Sequence, residues 1–75
     1  MKIGIIAAME QELVLLVEQL ENKVEEIVLG NIYYTGRLGK HDVVLVQSGV
    51  GKVMSAMSVA VLADHFEVDA LINTG

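Results

Sequence analysis

The stretch Lys2-Ile3-Gly4-Ile5-Ile6-Ala7-Ala8-Met9-Glu10-Gln11-Glu12-Leu13 decides how this chain is read. Its first part, Lys2 to Ala8, is a nearly unbroken apolar run rich in isoleucine. Such a run suits a strand covered on both faces, as in parallel sheets, because neither side of the pleat has to meet water. At Met9 the period changes. Met9, Leu13, Leu16, Val17 and Leu20 recur at helical spacing on one face, and Glu10, Gln11, Glu12, Glu18, Gln19 and Glu21 take the other. Glu10 and Glu12 fall in the first turn, where the helix dipole favours negative charge. A strand that passes into a helix with almost no loop is the opening of an α/β unit.

Working outward, Val24 to Gly30 and Ile32 to Leu38 are predicted strands joined by a tight turn at Gly30-Asn31. In the second, Ile32, Tyr34 and Gly36 share one face, and Tyr33, Thr35 and Arg37 the other. Gly39-Lys40 makes another turn, and Val43 to Gln47 a third apolar strand. Ser48-Gly49-Val50-Gly51-Lys52 leads into a predicted helix from about Gly51 to His65, with Met54, Met57, Val61 and Leu62 as its apolar stripe. The remaining small residues of that helix would allow close packing against another helix, in the same chain or in a partner. Ala70 to Thr74 is a last strand. The order is β-α-β-β-β-α-β, and an open α/β sheet places its ligands just beyond the carboxyl ends of its strands.

Composition bounds the partners. The chain has 75 residues, enough for one domain at most, and 53% of them are hydrophobic. That share is high for a small free-standing domain, and the excess reads as apolar faces made for elements outside this chain. Ten acids against five bases give a net charge of −5, which repels a phosphate backbone and argues against nucleic-acid binding. No cysteine is present, so there is neither a disulfide framework nor a thiolate zinc site. The opening apolar run is too short for a signal peptide, and no stretch of about 20 apolar residues could span a bilayer. The cytoplasm is the default compartment, with no membrane partner.

Three features could carry chemistry. Ser48-Gly49-Val50-Gly51-Lys52 is not a phosphate loop, because Val46 and Val53 stand where glycine and serine or threonine are needed; nor is it a dinucleotide fingerprint, because Met54 replaces the third glycine. It remains a glycine-flanked turn whose backbone can approach a ligand closely. Glu12, near the carboxyl end of a buried strand, could hold or deprotonate a water. On pattern alone its plainer reading, a surface acid complementing the helix dipole, prevails. Glu10 points about 200 degrees away from Glu12, so the two do not form a carboxylate pair. His41 and His65 lack a second histidine or clustered acid at ligand spacing, and no metal site is expected.

Taken in register, these segments resemble the 5'-methylthioadenosine/S-adenosylhomocysteine nucleosidases. The resemblance is carried by Lys2 to Glu12, by Tyr34-Thr35-Gly36, by Gln47-Ser48-Gly49-Val50-Gly51-Lys52-Val53 and by Ile72-Asn73-Thr74-Gly75. It implies that residues 1–75 are the amino-terminal portion of a single nucleosidase domain, a three-layer α/β/α sandwich around a mixed, twisted sheet. The implied activity is hydrolysis of the N-glycosidic bond of 5'-methylthioadenosine and S-adenosylhomocysteine, releasing adenine, by a homodimer that needs no metal or cofactor. By match of position, Glu12 would bind and activate the nucleophilic water. Ala8 and Met9 would line the ribose and water side of the pocket, Val50 would touch the 5'-alkylthio group, and the helix from Gly51 would lie near the dimer interface. The general acid at adenine, the glutamate for the ribose hydroxyls and the purine-stacking aromatic would follow residue 75, so these residues alone are expected to be inactive. Two alternatives stand beside this. One is a related nucleoside phosphorylase or other nucleosidase, although Glu12 would repel phosphate. The other is a non-catalytic α/β module such as a receiver, although Ala7-Ala8-Met9 occupies the place where a receiver clusters its acids.

Overall fold

The computed structural model describes residues 1–7, 9–28, 30–47 and 59–73. Its elements are β1 (Lys2–Ala7), α1 (Glu10–Gln19), β2 (Glu21–Val28), β3 (Asn31–Leu38), β4 (His41–Gln47) and β5 (Ala70–Asn73), with a second helical stretch, α2, over 59–64. The strands form one mixed sheet in the order β2-β3-β4-β1-β5. In it β1 runs parallel to β4 and β5, and the β2-β3 and β3-β4 pairs are antiparallel. The α/β class and the order read from the sequence are those observed.

The sheet has its core on both sides because β4 carries four consecutive apolar residues, Val43 to Val46. Val43, Val44, Leu45 and Val46 are all buried, and the two-residue period of a strand divides them between faces. Val43 and Leu45 join Ala7, together with Leu13 and Leu20 from α1 and the residue following it. Val44 and Val46 join Ile6, Tyr33, Val61, Leu62 and Phe66 on the opposite face. A helix therefore packs on each face of the sheet. Burying one such aliphatic side chain is worth about 1.5–3 kcal/mol, so the centre of the sheet holds most of the stabilising area.

Two glycines have a geometric reason. A Cβ on Gly36 would lie 2.9 Å from the Glu21 carbonyl oxygen and 3.0 Å from the Leu20 Cβ, so only glycine lets the exit of α1 cross β3 this closely. Gly39 has φ +65 and opens the two-residue connection between Leu38 and His41, as a type II′ turn requires of its first central residue.

Several expected boundaries are corrected. The β2-β3 pairing closes at Val28 opposite Asn31, so Asn31 belongs to β3 and is not a turn residue. The first hairpin strand starts at Glu21, not Val24; Asn22, with φ 55, makes a register shift there that its polar neighbours do not announce. Met9, assigned to the buried face of the helix, instead precedes α1 in extended conformation and is 53% exposed. His65 follows α2 directly, as expected, whereas the start of that helix, with Met54 and Met57, falls outside the described residues.

Candidate functional site

The parallel strands β1, β4 and β5 all end on the same side of the sheet. Ala7 pairs with Gln47 at the last position of the β1-β4 ladder, and Ile6 with Asn73 at that of β1-β5. The chain reaches β4 on one flank of β1 and then crosses to β5 on the other, the arrangement that opens a crevice at strand tips in α/β sheets. The start of α1 lies at this end, because only Ala8 and Met9 separate it from β1.

Glu12 occupies the first turn of α1, one residue before the buried Leu13, and is half-buried. Glu10 is exposed and belongs to the outer surface of the helix with Gln11, Val14 and Leu15. The two acids thus face different surroundings, as their angular separation requires. Met9 supplies the carbonyl that accepts the first helical hydrogen bond, from Leu13 N at 3.1 Å, while its side chain makes no cap. Ala8 and Val50 lie outside the described residues.

At the same end, on the α1 face, a cleft of about 350 Å³ is lined by Leu13, Gly30, Asn31, Ile32, Tyr34 and Gln47. The sequence reading did not find it, because Asn31 and Gln47 are brought together only by the register of the β2-β3-β4 meander. A second cleft, of about 410 Å³, lies at the opposite end and is lined by charged groups, among them Lys2, Glu26, Arg37 and Asp42. Arg37 and Lys2 both stand opposite Asp42 in the two ladders that β4 makes. Nearby, the His65 ring and the Glu26 carboxylate form a hydrogen-bonded pair across 39 positions of sequence, and His65 meets Phe66 edge-on at 4.8 Å. Among the described residues no group of three or more His, Cys, Asp or Glu could hold a metal ion. None of the described helices is long and apolar enough to cross a membrane.

The fold and this site define an α/β protein with a half-buried acid at the tips of its central parallel strands. The chain belongs to the phosphorylase superfamily, whose family model matches residues 2–75. It is 47% identical over 75 residues to a 5'-methylthioadenosine/S-adenosylhomocysteine nucleosidase of Geobacillus, all of the chain aligning with 32% of that protein. It also superposes on the Streptococcus pneumoniae nucleosidase of the same name, in complex with the transition-state inhibitor MT-ImmA. The TM-score is 0.94 and the identity 71%, over 100% of this chain and 33% of the other. With the Streptococcus pyogenes S-adenosylhomocysteine nucleosidase bound to 5-methylthiotubericidin, the TM-score is 0.95 and the identity 65%, over 100% and 32%. The chain therefore spans about a third of the length of the relatives it matches.

Proposed function

We propose that these residues are the amino-terminal portion of one nucleosidase domain that hydrolyses the N-glycosidic bond of 5'-methylthioadenosine and S-adenosylhomocysteine and releases adenine. The reading extends to a three-layer α/β/α sandwich, a homodimer working in the cytoplasm on free nucleosides, and catalysis without metal or cofactor. The observation that carries it is a half-buried carboxylate, Glu12, at the carboxyl ends of β1 and β4, in a fold superposable at 0.94 on a nucleosidase that holds a transition-state inhibitor. Cleavage of a glycosidic bond passes through an oxocarbenium-like transition state. A carboxylate beside the anomeric carbon polarises an attacking water, accepts its proton and offsets the developing positive charge. In this reading Ala8 and Met9 border the ribose and the water, and Val50 meets the 5' substituent.

The test is Glu12→Gln in a full-length protein carrying this chain. The amide keeps the shape and loses the base, so adenine release falls at least about 100-fold while the thermal midpoint stays within a few degrees. Retention of more than a few per cent of turnover refutes the role of Glu12. The competing phosphorylase reading is separated by varying inorganic phosphate. Hydrolysis proceeds equally without it, because Glu12 offers an anion no favourable contact; a rate proportional to phosphate supports the competitor.

A further inference from the structure

β1 is an interior strand with no turn to set its alignment. β3 meets β4 through the two-residue connection that closes at Leu38 opposite His41, and a hairpin turn of fixed length fixes register. β1 instead runs parallel to β4 and β5, each reached only after other elements have intervened in the chain. Its apolar residues distinguish neighbouring alignments poorly. Ile3, Ile5 and Ile6 meet Val43, Leu45 and Val46, and a slip of two residues would keep each side chain on its own face with aliphatic groups again opposed.

Charge does distinguish them. Lys2 is the one charged residue of β1, and it stands opposite Asp42 of β4. Asp42 also stands opposite Arg37 of β3, and Arg37 opposite Glu21 of β2. On the other flank of β1, the Asp69 carboxylate accepts a hydrogen bond from Lys2 N at 2.9 Å, and Asp69 N donates to the Lys2 carbonyl oxygen at 2.7 Å. From β2 to the start of β5 the row runs Glu21, Arg37, Asp42, Lys2, Asp69, and its sign alternates at every step. We propose that this alternating row locks the register of β1 between β4 and β5. It thereby sets the level at which Ala7 and Gln47 stand side by side at the far end of the ladder, where the candidate site lies.

The physical case rests on opposition across the ladder. Directly opposed side chains have Cβ atoms about 4.5–5.5 Å apart, where opposite charges are favourable and like charges unfavourable. Lys2, Asp42 and Arg37 line one cleft together with Glu26. Glu26 is engaged by His65, whereas Lys2, Asp42 and Arg37 have no closer ion pair among the described residues. A slip of two residues in one direction would bring Lys2 level with Lys40, a like charge. In the other direction it would bring Lys2 to Val44 and leave Asp42 with no cation from β1. Shape adds a second mark on the β5 side. A Cβ on Gly4 would lie 3.0 Å from the Leu71 side chain, so a larger residue of β1 is disfavoured in that place.

The experiment is a charge-inversion cycle read by thermal midpoint in a full-length protein carrying this chain. Inverting one inner charge, as in Lys2→Glu or Asp42→Lys, turns two of the four attractive neighbour contacts into repulsive ones. Each single variant is expected to lower Tm by about 2–8 °C at low salt. The double inversion also leaves two attractive and two repulsive contacts. It should therefore lose about as much as one single variant, and not the sum of the two. Asp42→Glu, which keeps the sign, should stay within about 2 °C of wild type. In about 1 M salt, where the screening length is about 3 Å, most of each loss should vanish. Single inversions that leave Tm unchanged, losses that add, or losses untouched by salt overturn the proposal. If an inverted variant does not fold, Lys2→Gln and Asp42→Asn run the same cycle at smaller amplitude. Their double loss should again fall short of the sum, and simple addition would overturn the row.

Discussion

Strands β4 and β2 lie two places apart in one sheet and have nearly the same length, seven and eight residues, yet they live in different solvents. Four consecutive residues of β4 are buried, whereas seven of the eight in β2 are exposed, including Val24 and Ile27. The difference is one of cover. β4 has α1 over one face and α2 with Phe66 over the other, and strands on both edges. β2 is an edge strand, and among the described residues only Val28 of it packs against the core, beside Val61, Leu62 and Phe66. An apolar residue therefore contributes according to what packs on it, not according to its type. The ends of β1 and β4 that carry the candidate site stand on the best-supported part of the sheet, a sound foundation for placing a carboxylate accurately.

The largest expected effect tests the buried member of this pair. Leu45 is fully buried on the α1 face, between Ile5 and Tyr34 in the neighbouring strands. Leu45→Ala in a full-length protein carrying this chain should cost about 2–5 kcal/mol, combining lost transfer energy with an unfilled cavity. Urea denaturation measures it. A loss below 1 kcal/mol would mean that the β4 core is loose, and the contrast with β2 would dissolve. Gly36→Ala probes the seam where α1 hands over to β2. The new methyl would meet the Glu21 carbonyl at 2.9 Å, and backbone cannot rotate away as a side chain can. Overpacking of this kind costs about 1–3 kcal/mol, and an unchanged denaturation midpoint would show that the crossing is not tight.

The same contrast explains what the sequence disclosed. The β1-α1 junction was legible because the apolar period changes from continuous to helical at Met9, and β4 because its valines and leucine form one apolar run after the Gly39-Lys40 turn. The Gly39-Lys40 turn was legible because glycine is the cheapest residue at positive φ. Where cover is absent, hydrophobic pattern carries no signal. The start of β2 at Glu21-Asn22-Lys23 is polar, exposed and bent by the left-handed Asn22, so no periodicity marks it. Met9 misled for a related reason: its spacing matches the helical stripe, but it sits one residue before the helix begins. Glu12 was named from resemblance and from its place after a buried strand. The Asn31-Gln47 cleft and the His65-Glu26 pair depend on strand register and on chain separations that no local motif encodes.

A smaller effect, opposite in sign, is expected on β3, which bridges the two strands. Tyr33 stands opposite Glu26 of β2 and Val46 of β4, is wholly buried, and stacks on Phe66 with ring centroids 5.1 Å apart. Its hydroxyl has no hydrogen-bond partner among the described residues. Tyr33→Phe keeps the ring and removes a group whose burial is uncompensated, so stability should rise by up to about 1 kcal/mol. A loss of similar size would reveal a bonded hydroxyl.

The smallest expected effect tests the exposed member. Ile27 is 72% exposed and stands directly opposite Ile32, which is 43% exposed, on the α1 face of the hairpin. A cross-strand apolar pair of this kind is worth about 0.2–1 kcal/mol relative to alanine, and exposure leaves little else to lose. Ile27→Ala in a full-length protein carrying this chain should therefore shift the unfolding free energy by less than about 1 kcal/mol. Ile32→Ala should behave alike, and the double variant should lose little more than either single one, because the pair shares one contact. If Ile27→Ala instead costs more than about 2 kcal/mol, the exposure of β2 is not a property of the longer protein and something packs on this face of the hairpin. The difference between β4 and β2 would then lie in which part of the chain covers each strand, and no longer in whether it is covered at all.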